Sequence, residues 1–197
     1  MTKTLLVYLH GFRSSPRSSK AVMTGDAVRA ISTEHDSYDW YCPQLLASPK
    51  ESMDMVTNYI DQAKFDRLVV IGSSLGGFYA SWLAQHLDCP AVLLNPAVHP
   101  ARDLAQYIGE HPAWHDPSQS IFFDAAHVQE LQRLEAQPRT APARTLALIA
   151  KGDEVLDWRE MLARHETGQV RLIEGSDHAL SDFDRYKTQI LEFLRLA

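Results

Sequence analysis

Short runs of mainly apolar residues recur along the chain, and they lack the polar alternation of a strand with one face in water. Four clear runs occupy residues 5–9, 67–71, 91–94 and 145–149, and a weaker one occupies residues 170–173. A sixth run, at residues 38–41, is short and is stopped by Pro43. Runs of this length are typical of strands that are buried on both faces, so the pattern predicts about six strands.

Apolar residues at helical spacing fill the segments between these runs. The predicted helices span residues 18–32, 49–64, 75–87, 157–165 and 182–196. Ser48 and Pro49 form a start signal for the second helix, and Ser181 is placed to cap the last one. Strands that alternate with helices imply right-handed crossovers and a mostly or fully parallel sheet with helices on both faces. The predicted fold class is therefore α/β, with three layers.

The third and fourth clear runs are separated by far more residues than a crossover helix needs. The extra segment, about residues 99–143, is interrupted by prolines and holds two helix candidates, at 102–109 and 124–136. We predict a helical insertion that lies as a lid above the ligand crevice, at the carboxyl ends of the strands. Its aromatic side chains either line a substrate pocket or pin the insertion to the core. Three of them are Trp114, Phe122 and Phe123.

Composition narrows the class of protein. The chain has 197 residues, of which 45% are hydrophobic and 22% are charged, so one core can form and residues 1–197 are expected to be a single domain. The net charge of −6 and the scattered basic residues disfavour nucleic acid as a partner. No apolar run approaches the roughly 18 residues of a membrane span. We expect a monomer or a weak homodimer that acts on a small molecule.

Cysteine usage and the first residues indicate the compartment. Two cysteines, Cys42 and Cys89, are too few for a disulfide framework. The first apolar run is cut short by His10 and Gly11, so it does not resemble a signal peptide. A reducing cytoplasm is the expected location.

The clearest chemical motif is Gly72-Ser73-Ser74-Leu75-Gly76, which lies between a predicted strand and a predicted helix. In this G-x-S-x-G turn the central serine is lifted out of the sheet, and the glycines are needed where helix and strand nearly touch. Ser74 is therefore the predicted nucleophile. The backbone N–H of Leu75, at the start of the helix, is placed to stabilise a developing oxyanion.

Partners for a nucleophilic serine follow it in the order acid, then histidine, each in a loop after a late strand. Asp153 follows the run at 145–149, and His178 follows the run at 170–173. We predict Asp153 as the acid, with Glu154 and Asp157 as alternatives in the same turn. His178 is the predicted base, because a neutral imidazole can accept the serine proton when a carboxylate fixes its tautomer.

The loop after the first strand begins His10-Gly11-Phe12-Arg13 and is expected to supply the second oxyanion donor, the N–H of Phe12. His10 either contacts the substrate or packs beneath this loop. Arg13, with Arg17 and Lys20 nearby, either contacts a carboxylate or phosphate of the substrate or belongs to a solvated cluster.

A metal site is one interpretation of the insertion, where histidines and carboxylates are dense. The residues are His111, His115, Asp116, Asp124 and His127. Pro112 and Pro117 oppose a helix that would bring His111 and His115 to one face, so surface histidines are the preferred interpretation. Acyl chemistry with a serine needs no metal, and we expect no cofactor.

Taken together, these motifs resemble small α/β-hydrolase esterases of the YqiA/YcfP type, almost from end to end. The segments that carry the resemblance are Tyr8-Leu9-His10-Gly11-Phe12 with Ser14-Ser15-Pro16-Arg17-Ser18, Gly72-Ser73-Ser74-Leu75-Gly76-Gly77, Asn95-Pro96-Ala97-Val98, Gly152-Asp153-Glu154-Val155-Leu156-Asp157 and Asp177-His178-Ala179. The resemblance implies a compact α/β-hydrolase sheet and a triad at Ser74, Asp153 and His178. Arg13, His99 and Ser176 depart from the family pattern, and the first two can alter substrate preference.

The expected function is that of a serine hydrolase which cleaves acyl esters through an acyl-enzyme. An acyl-thioesterase would use the same residues, and the sequence does not separate the two. A third hypothesis is a non-catalytic binding module with the same fold and a misplaced or covered triad.

Overall fold

The computed structural model describes residues 2–32, 36–114, 116–137 and 144–196. Its strands are β1 (Thr2–Leu9), β2 (Asp36–Tyr41), β3 (Arg67–Ser73), β4 (Ala91–Leu94), β5 (Gly109–Pro112), β6 (Ser120–Phe123), β7 (Thr145–Ala150) and β8 (Gln169–Ile173). Its helices are α1 (Ser19–Ile31), α2 (Pro49–Gln62), α3 (Leu75–His86), α4 (Pro100–Leu104), α5 (Ala125–Glu135), α6 (Trp158–His165) and α7 (Lys187–Phe193).

Six strands form one sheet in the order β2-β1-β3-β4-β7-β8, and every pairing in it is parallel. All six predicted strands are present, including the two weak ones. In the register of the sheet, Leu9 lies beside Gly72, and Ser73 lies beside Leu94. The loops that leave β1, β3 and β4 therefore start from the same edge of the sheet.

Each strand of the sheet centre is buried on both faces, as its unbroken apolar run predicts. In β1, Leu5 and Val7 face one core together with Val56 of α2 and Phe78 of α3. Leu6 and its neighbour Tyr8 face the other core, where α1 and α7 pack. Helices thus cover both faces, and the predicted three-layer α/β architecture is confirmed.

The start of the C-terminal helix differs from the prediction of 182–196. Phe183–Tyr186 forms a 3₁₀ turn, and α7 begins only after it. Ser181 does not cap a helix, because its N–H and its hydroxyl both donate to the carboxylate of Asp177. The predicted cap was therefore wrong: the serine belongs to a turn that closes the preceding loop. Ser48, in contrast, caps α2 as predicted by accepting from the N–H of Glu51.

The insertion between β4 and β7 is not purely helical, which corrects the prediction. The first helix candidate becomes the short α4 and a 3₁₀ turn, and an antiparallel hairpin of β5 and β6 follows. The side chain of Phe122 is exposed and that of Phe123 is fully buried, the alternation of a strand with one face in water. The second candidate is correct as α5, and Asp124 caps it with a hydrogen bond from the N–H of Ala126. Residues 138–143 lie outside the described residues.

Within those described ranges, no helix combines the length and the apolar character that crossing a membrane would require.

Candidate active site

Ser74 stands at the sharp turn between β3 and α3. Its backbone has φ 56° and ψ −120°, a conformation that costs about 1–3 kcal/mol for a residue with a side chain. The surrounding structure holds it there. The N–H of Ser74 donates to Leu94 O at 2.9 Å, and its carbonyl accepts from the N–H groups of Gly77 and Ala97 at 2.9 and 3.0 Å. The strained turn is thus fixed by hydrogen bonds to the end of β4, to the loop that follows it and to the first turn of α3.

The glycines of the motif are required by close backbone contacts. A Cβ at Gly72 would lie 2.0 Å from Gly76 O, and a Cβ at Gly76 would lie 2.0 Å from Leu9 O. Backbone atoms cannot move aside as a flexible side chain can, so larger residues at these positions would separate α3 from β1 and β3. The physical reason given for the motif is therefore found in the structure.

Three side chains from three different loops meet beside this turn. Ser74 Oγ lies 3.0 Å from His178 Nε2, and His178 Nδ1 lies 2.7 Å from Asp153 Oδ2. The carboxylate of Asp153 is fully buried, whereas the His178 ring retains 21% of its exposure and borders a cleft. A serine, an imidazole and a carboxylate in this chain of hydrogen bonds form the geometry of an activated nucleophile.

The three acidic candidates of the turn after β7 have different positions. Asp153 alone among them contacts the imidazole in the described structure, and its Oδ1 accepts from the N–H groups of Val155 and Leu156, each at 2.8 Å. Glu154 accepts from the backbone N–H of His178 at 3.0 Å. Asp157 caps α6 by accepting from the N–H of Arg159 at 2.9 Å. Only Asp153 is therefore placed to orient the ring.

Asn95 is a central residue of the site that the sequence reasoning did not single out. Its side chain is fully buried. Its Nδ2 donates to the carbonyls of Asp177 and His178 at 3.0 and 3.1 Å, and its Oδ1 accepts from the N–H of Ala150 at 2.8 Å. It thus ties the end of β4 to β7 and to the histidine loop. A signal was present, since an amide directly after an apolar strand needs buried partners.

Two backbone N–H groups flank the serine on the cleft side. Leu75 is the first residue of α3, and N–H groups of a first helical turn have no partner within the helix. Phe12 follows Gly11 in the loop after β1, and that loop lies against the serine: a Cβ on Gly11 would be 3.7 Å from Ser74 Oγ. Both predicted donors are thus on the two segments that border the nucleophile.

His10 packs beneath this loop and also borders the cleft. The side chain is 2% exposed. Its Nε2 accepts from the N–H of Leu45 at 3.0 Å, so the proton is on Nδ1, which lies 2.9 Å from Gly11 O. With both ring nitrogens bonded, His10 fixes the position of the loop.

A cleft of about 600 Å³ opens at the serine. The insertion contributes both apolar and polar side chains to the lining: Pro100, Leu104 and Tyr107, and also Asp103 and Gln106. Phe12 and Leu156 add apolar surface, whereas Ser18 and Lys20 at the start of α1 and Glu154 after β7 are polar. The apolar part of the lining therefore comes chiefly from the insertion and its neighbours, and Lys20 comes from α1.

Of the predicted substrate contacts, His10, Arg13 and Trp114 line the cleft. The Arg13 guanidinium lies 4.5 Å from the ring centroid of Trp114, and its Nε donates to Pro112 O at 2.9 Å. Phe122 and Phe123 are not among the residues that line the cleft. Phe122 points to solvent, while Phe123 packs edge-on against Phe12 at 5.2 Å and anchors the insertion.

The residues suspected of binding a metal are dispersed in the described chain, where no group of three His, Cys, Asp or Glu side chains is arranged to hold an ion. Asp124 and His127 form the capping box of α5, and His111 contacts Tyr107 O at 2.8 Å. His115 lies outside the described residues.

Comparison with known proteins places the chain among its relatives. Residues 5–195 match the model of a family described as "Uncharacterised protein family (UPF0227)". The chain belongs to the UPF0227 family. A UPF0227 protein of Pectobacterium atrosepticum is 26% identical over 160 residues, which are 78% of this chain and 77% of that protein. Membership of UPF0227 confirms the YqiA/YcfP-type resemblance that the motifs indicated.

Solved structures show that the UPF0227 chain has the α/β-hydrolase fold. Est1E from Butyrivibrio proteoclasticus matches with a TM-score of 0.70 at 16% identity, over 98% of this chain and 89% of Est1E. The mouse alpha/beta hydrolase domain-containing protein 10 matches with a TM-score of 0.69 at 16% identity, over 97% and 89% of the two chains. At such identities the likeness concerns the fold alone.

Proposed function

We propose that this protein is a serine hydrolase that cleaves acyl esters. The observation that carries the proposal is the unbroken chain of hydrogen bonds from Ser74 Oγ through His178 to the buried carboxylate of Asp153. A misplaced triad, as in a non-catalytic module of the same fold, would not keep both distances at 3.0 Å or less. Solved structures of similar fold that are described as an esterase and as a monoacylglycerol lipase agree with this reaction class.

In the proposed acylation step, Ser74 Oγ attacks the ester carbonyl carbon while His178 Nε2 accepts the hydroxyl proton. Asp153 keeps the ring in the Nδ1–H tautomer, so that Nε2 is free of a proton before attack, and stabilises the imidazolium afterwards. The C–O bond of the tetrahedral intermediate then breaks, and His178 returns the proton to the leaving alcohol oxygen. The product is an acyl-enzyme at Ser74.

The charge on the tetrahedral oxygen needs preorganised donors. We assign this role to the N–H groups of Phe12 and Leu75, whose segments border the serine. Water then attacks the acyl-enzyme with His178 as base, which releases the carboxylic acid. The apolar side chains that the insertion adds to the cleft, Pro100, Leu104 and Tyr107, suit the acyl chain because contact with them removes hydrocarbon from water.

Covalent labelling tests the proposal without knowledge of the natural substrate. A fluorophosphonate should add one adduct per chain in intact-mass analysis, and peptide mapping should locate it on Ser74. The same protein should hydrolyse 4-nitrophenyl acetate. Ser74→Ala should lose the adduct and lower kcat by at least about 10³-fold, whereas Ser73→Ala, a change of the neighbouring serine, should keep both.

An adduct on another serine, or esterase activity that survives Ser74→Ala, would contradict the assignment. Folded protein that neither reacts with the fluorophosphonate nor hydrolyses the ester would favour the binding-module hypothesis. Circular dichroism of each variant establishes that the fold is intact in every comparison.

A further inference from the structure

The lining of the cleft includes a cation, Lys20, that has no role in the proposed ester hydrolysis. Lys20 is half-buried in the first turn of α1, and its Nζ donates to Ala179 O, next to His178. No carboxylate of the described residues lies within ion-pair distance, 4 Å, of this Nζ. Burial lowers the pKa of Lys20, and the charges of Asp177 and Asp153 offset this only in part. An anion beside Nζ would relieve that cost.

The start of α1 adds further donors at the same place. Ser18 occupies the capping position of this 13-residue helix, but its side chain makes no capping hydrogen bond and instead lines the cleft. The first N–H groups of α1 thus lack a side-chain acceptor, and the positive end of the helix dipole points to the same cleft. Carboxylates and phosphates are the groups that such helix starts bind.

Tyr8 provides an independent observation. It lines the same cleft, its side chain is fully buried, and its hydroxyl has no hydrogen-bond partner among the described residues. A buried hydroxyl without a partner costs about 1–3 kcal/mol, so native structures seldom contain one without a reason. A phenol O–H can donate to an anionic oxygen. Within the described residues, Lys20, the start of α1 and Tyr8 thus bring to one cleft a half-buried cation without a carboxylate partner, a helix start without a side-chain cap and a hydroxyl without a partner.

We propose that this cluster of Lys20, Ser18 and Tyr8 binds an anionic oxygen group, a carboxylate or a phosphate, on the leaving alcohol of the ester. We assign the group to the leaving alcohol because the apolar side chains that suit an acyl chain come from other segments, Pro100, Leu104 and Tyr107 of the insertion. The inference rests on the proposed esterase function. It narrows the substrate class to esters whose alcohol carries a negative charge.

A matched pair of acetate esters tests the site. The leaving group of 4-acetoxybenzoate carries a carboxylate, and that of 4-acetoxybenzamide carries a neutral amide of nearly the same shape. We expect kcat/KM, normalised to the rate of alkaline hydrolysis of each ester, to favour the anion by about tenfold. 4-Acetoxyphenyl phosphate, as a third ester, shows whether phosphate is preferred to carboxylate.

Lys20→Met should reduce the preference to about one, and Tyr8→Phe should reduce it several-fold. Lys64→Met makes the same chemical change at an exposed lysine outside the cleft and should leave the preference intact. A wild-type preference at or below one would overturn the proposal. An equal loss for both esters in Lys20→Met would overturn it as well, since Lys20 would then act only by positioning the His178 loop. An unchanged preference in Tyr8→Phe would remove Tyr8 from the site.

A binding measurement separates failure of this proposal from failure of the esterase function. Calorimetry with Ser74→Ala requires no turnover, and this protein should bind 4-hydroxybenzoate about tenfold more tightly than 4-hydroxybenzamide. Adding Lys20→Met should abolish the difference. Equal affinity for the two phenols in Ser74→Ala would refute the anion site whether or not the protein is an esterase.

Discussion

Asp153→Asn tests whether the buried carboxylate controls the histidine. Asparagine has the same shape, and its Oδ1 can still accept hydrogen bonds from the N–H groups of Val155 and Leu156. In the unmutated protein these nitrogens lie 2.8 Å from Asp153 Oδ1. If the amide were turned round, its NH₂ group would face these two N–H donors, which is unfavourable. The amide nitrogen of the asparagine must therefore face His178 Nδ1, which lies 2.7 Å from the Asp153 carboxylate in the unmutated protein. The ring would then carry its proton on Nε2, the nitrogen that faces Ser74.

The size of the effect follows from this exchange of tautomers. With its proton on Nε2, the imidazole cannot accept the Ser74 proton at 3.0 Å. We expect kcat to fall by about 10⁴-fold, equivalent to about 5 kcal/mol of transition-state stabilisation. Two of the three hydrogen bonds of Asp153 persist, so the free energy of unfolding should change by less than about 2 kcal/mol.

Steady-state hydrolysis of 4-nitrophenyl acetate and the rate of fluorophosphonate labelling measure this loss, and urea unfolding measures stability. Asp157→Asn is the matched control, because asparagine caps a helix as well as aspartate does and activity should stay within about threefold. More than about a tenth of the activity in Asp153→Asn, or a larger loss in Asp157→Asn than in Asp153→Asn, would contradict control of the His178 tautomer by Asp153.

Two further predictions concern stability. Gly76→Ala should lower the free energy of unfolding by more than about 3 kcal/mol in urea titrations, because its Cβ would lie 2.0 Å from Leu9 O. A change below about 1 kcal/mol would show that helix and strand can separate easily. Burial raises the pKa of Asp182, but hydrogen bonds from Ser176 and Tyr186 outweigh this and lower it below its usual value. The resulting stability is present above about pH 4 and is lost as pH falls through the folded pKa, so Asp182→Asn should flatten the acid limb of a stability profile. An equally steep limb in the variant would contradict this.

The sheet was predictable because each strand is buried on both faces and gives an unbroken apolar run. The position of Ser74 was predictable for a related reason, since glycines at 72 and 76 are dictated by backbone contacts within one short segment. Local signals of this kind need no knowledge of the rest of the fold. The same is true of Ser48, whose capping partner is three residues away.

Features that depend on distant partners were missed or misjudged. Ser181 has the sequence position of a helix cap, but its N–H and its hydroxyl donate to the carboxylate of Asp177 in a turn. The hairpin of the insertion was missed because its strands have four residues each and one of them ends in Pro112. The role of Asn95 depends on the end of β7 and on the histidine loop, which the fold brings within hydrogen-bond distance of its side chain. None of these arrangements has a signature within a few neighbouring residues.

The position of the insertion has a consequence for how such a protein can diversify. The insertion leaves the sheet after β4, and α5 supplies the crossover back to β7. The part from α4 to the hairpin is therefore additional to the crossover. Ser74, Asp153 and His178 lie outside this additional part, and the entropic cost of closing a loop grows slowly with its length. The segment from α4 to the hairpin can therefore vary in length and sequence while these three residues keep their places, so the proposed esterase could be adapted to different acyl chains.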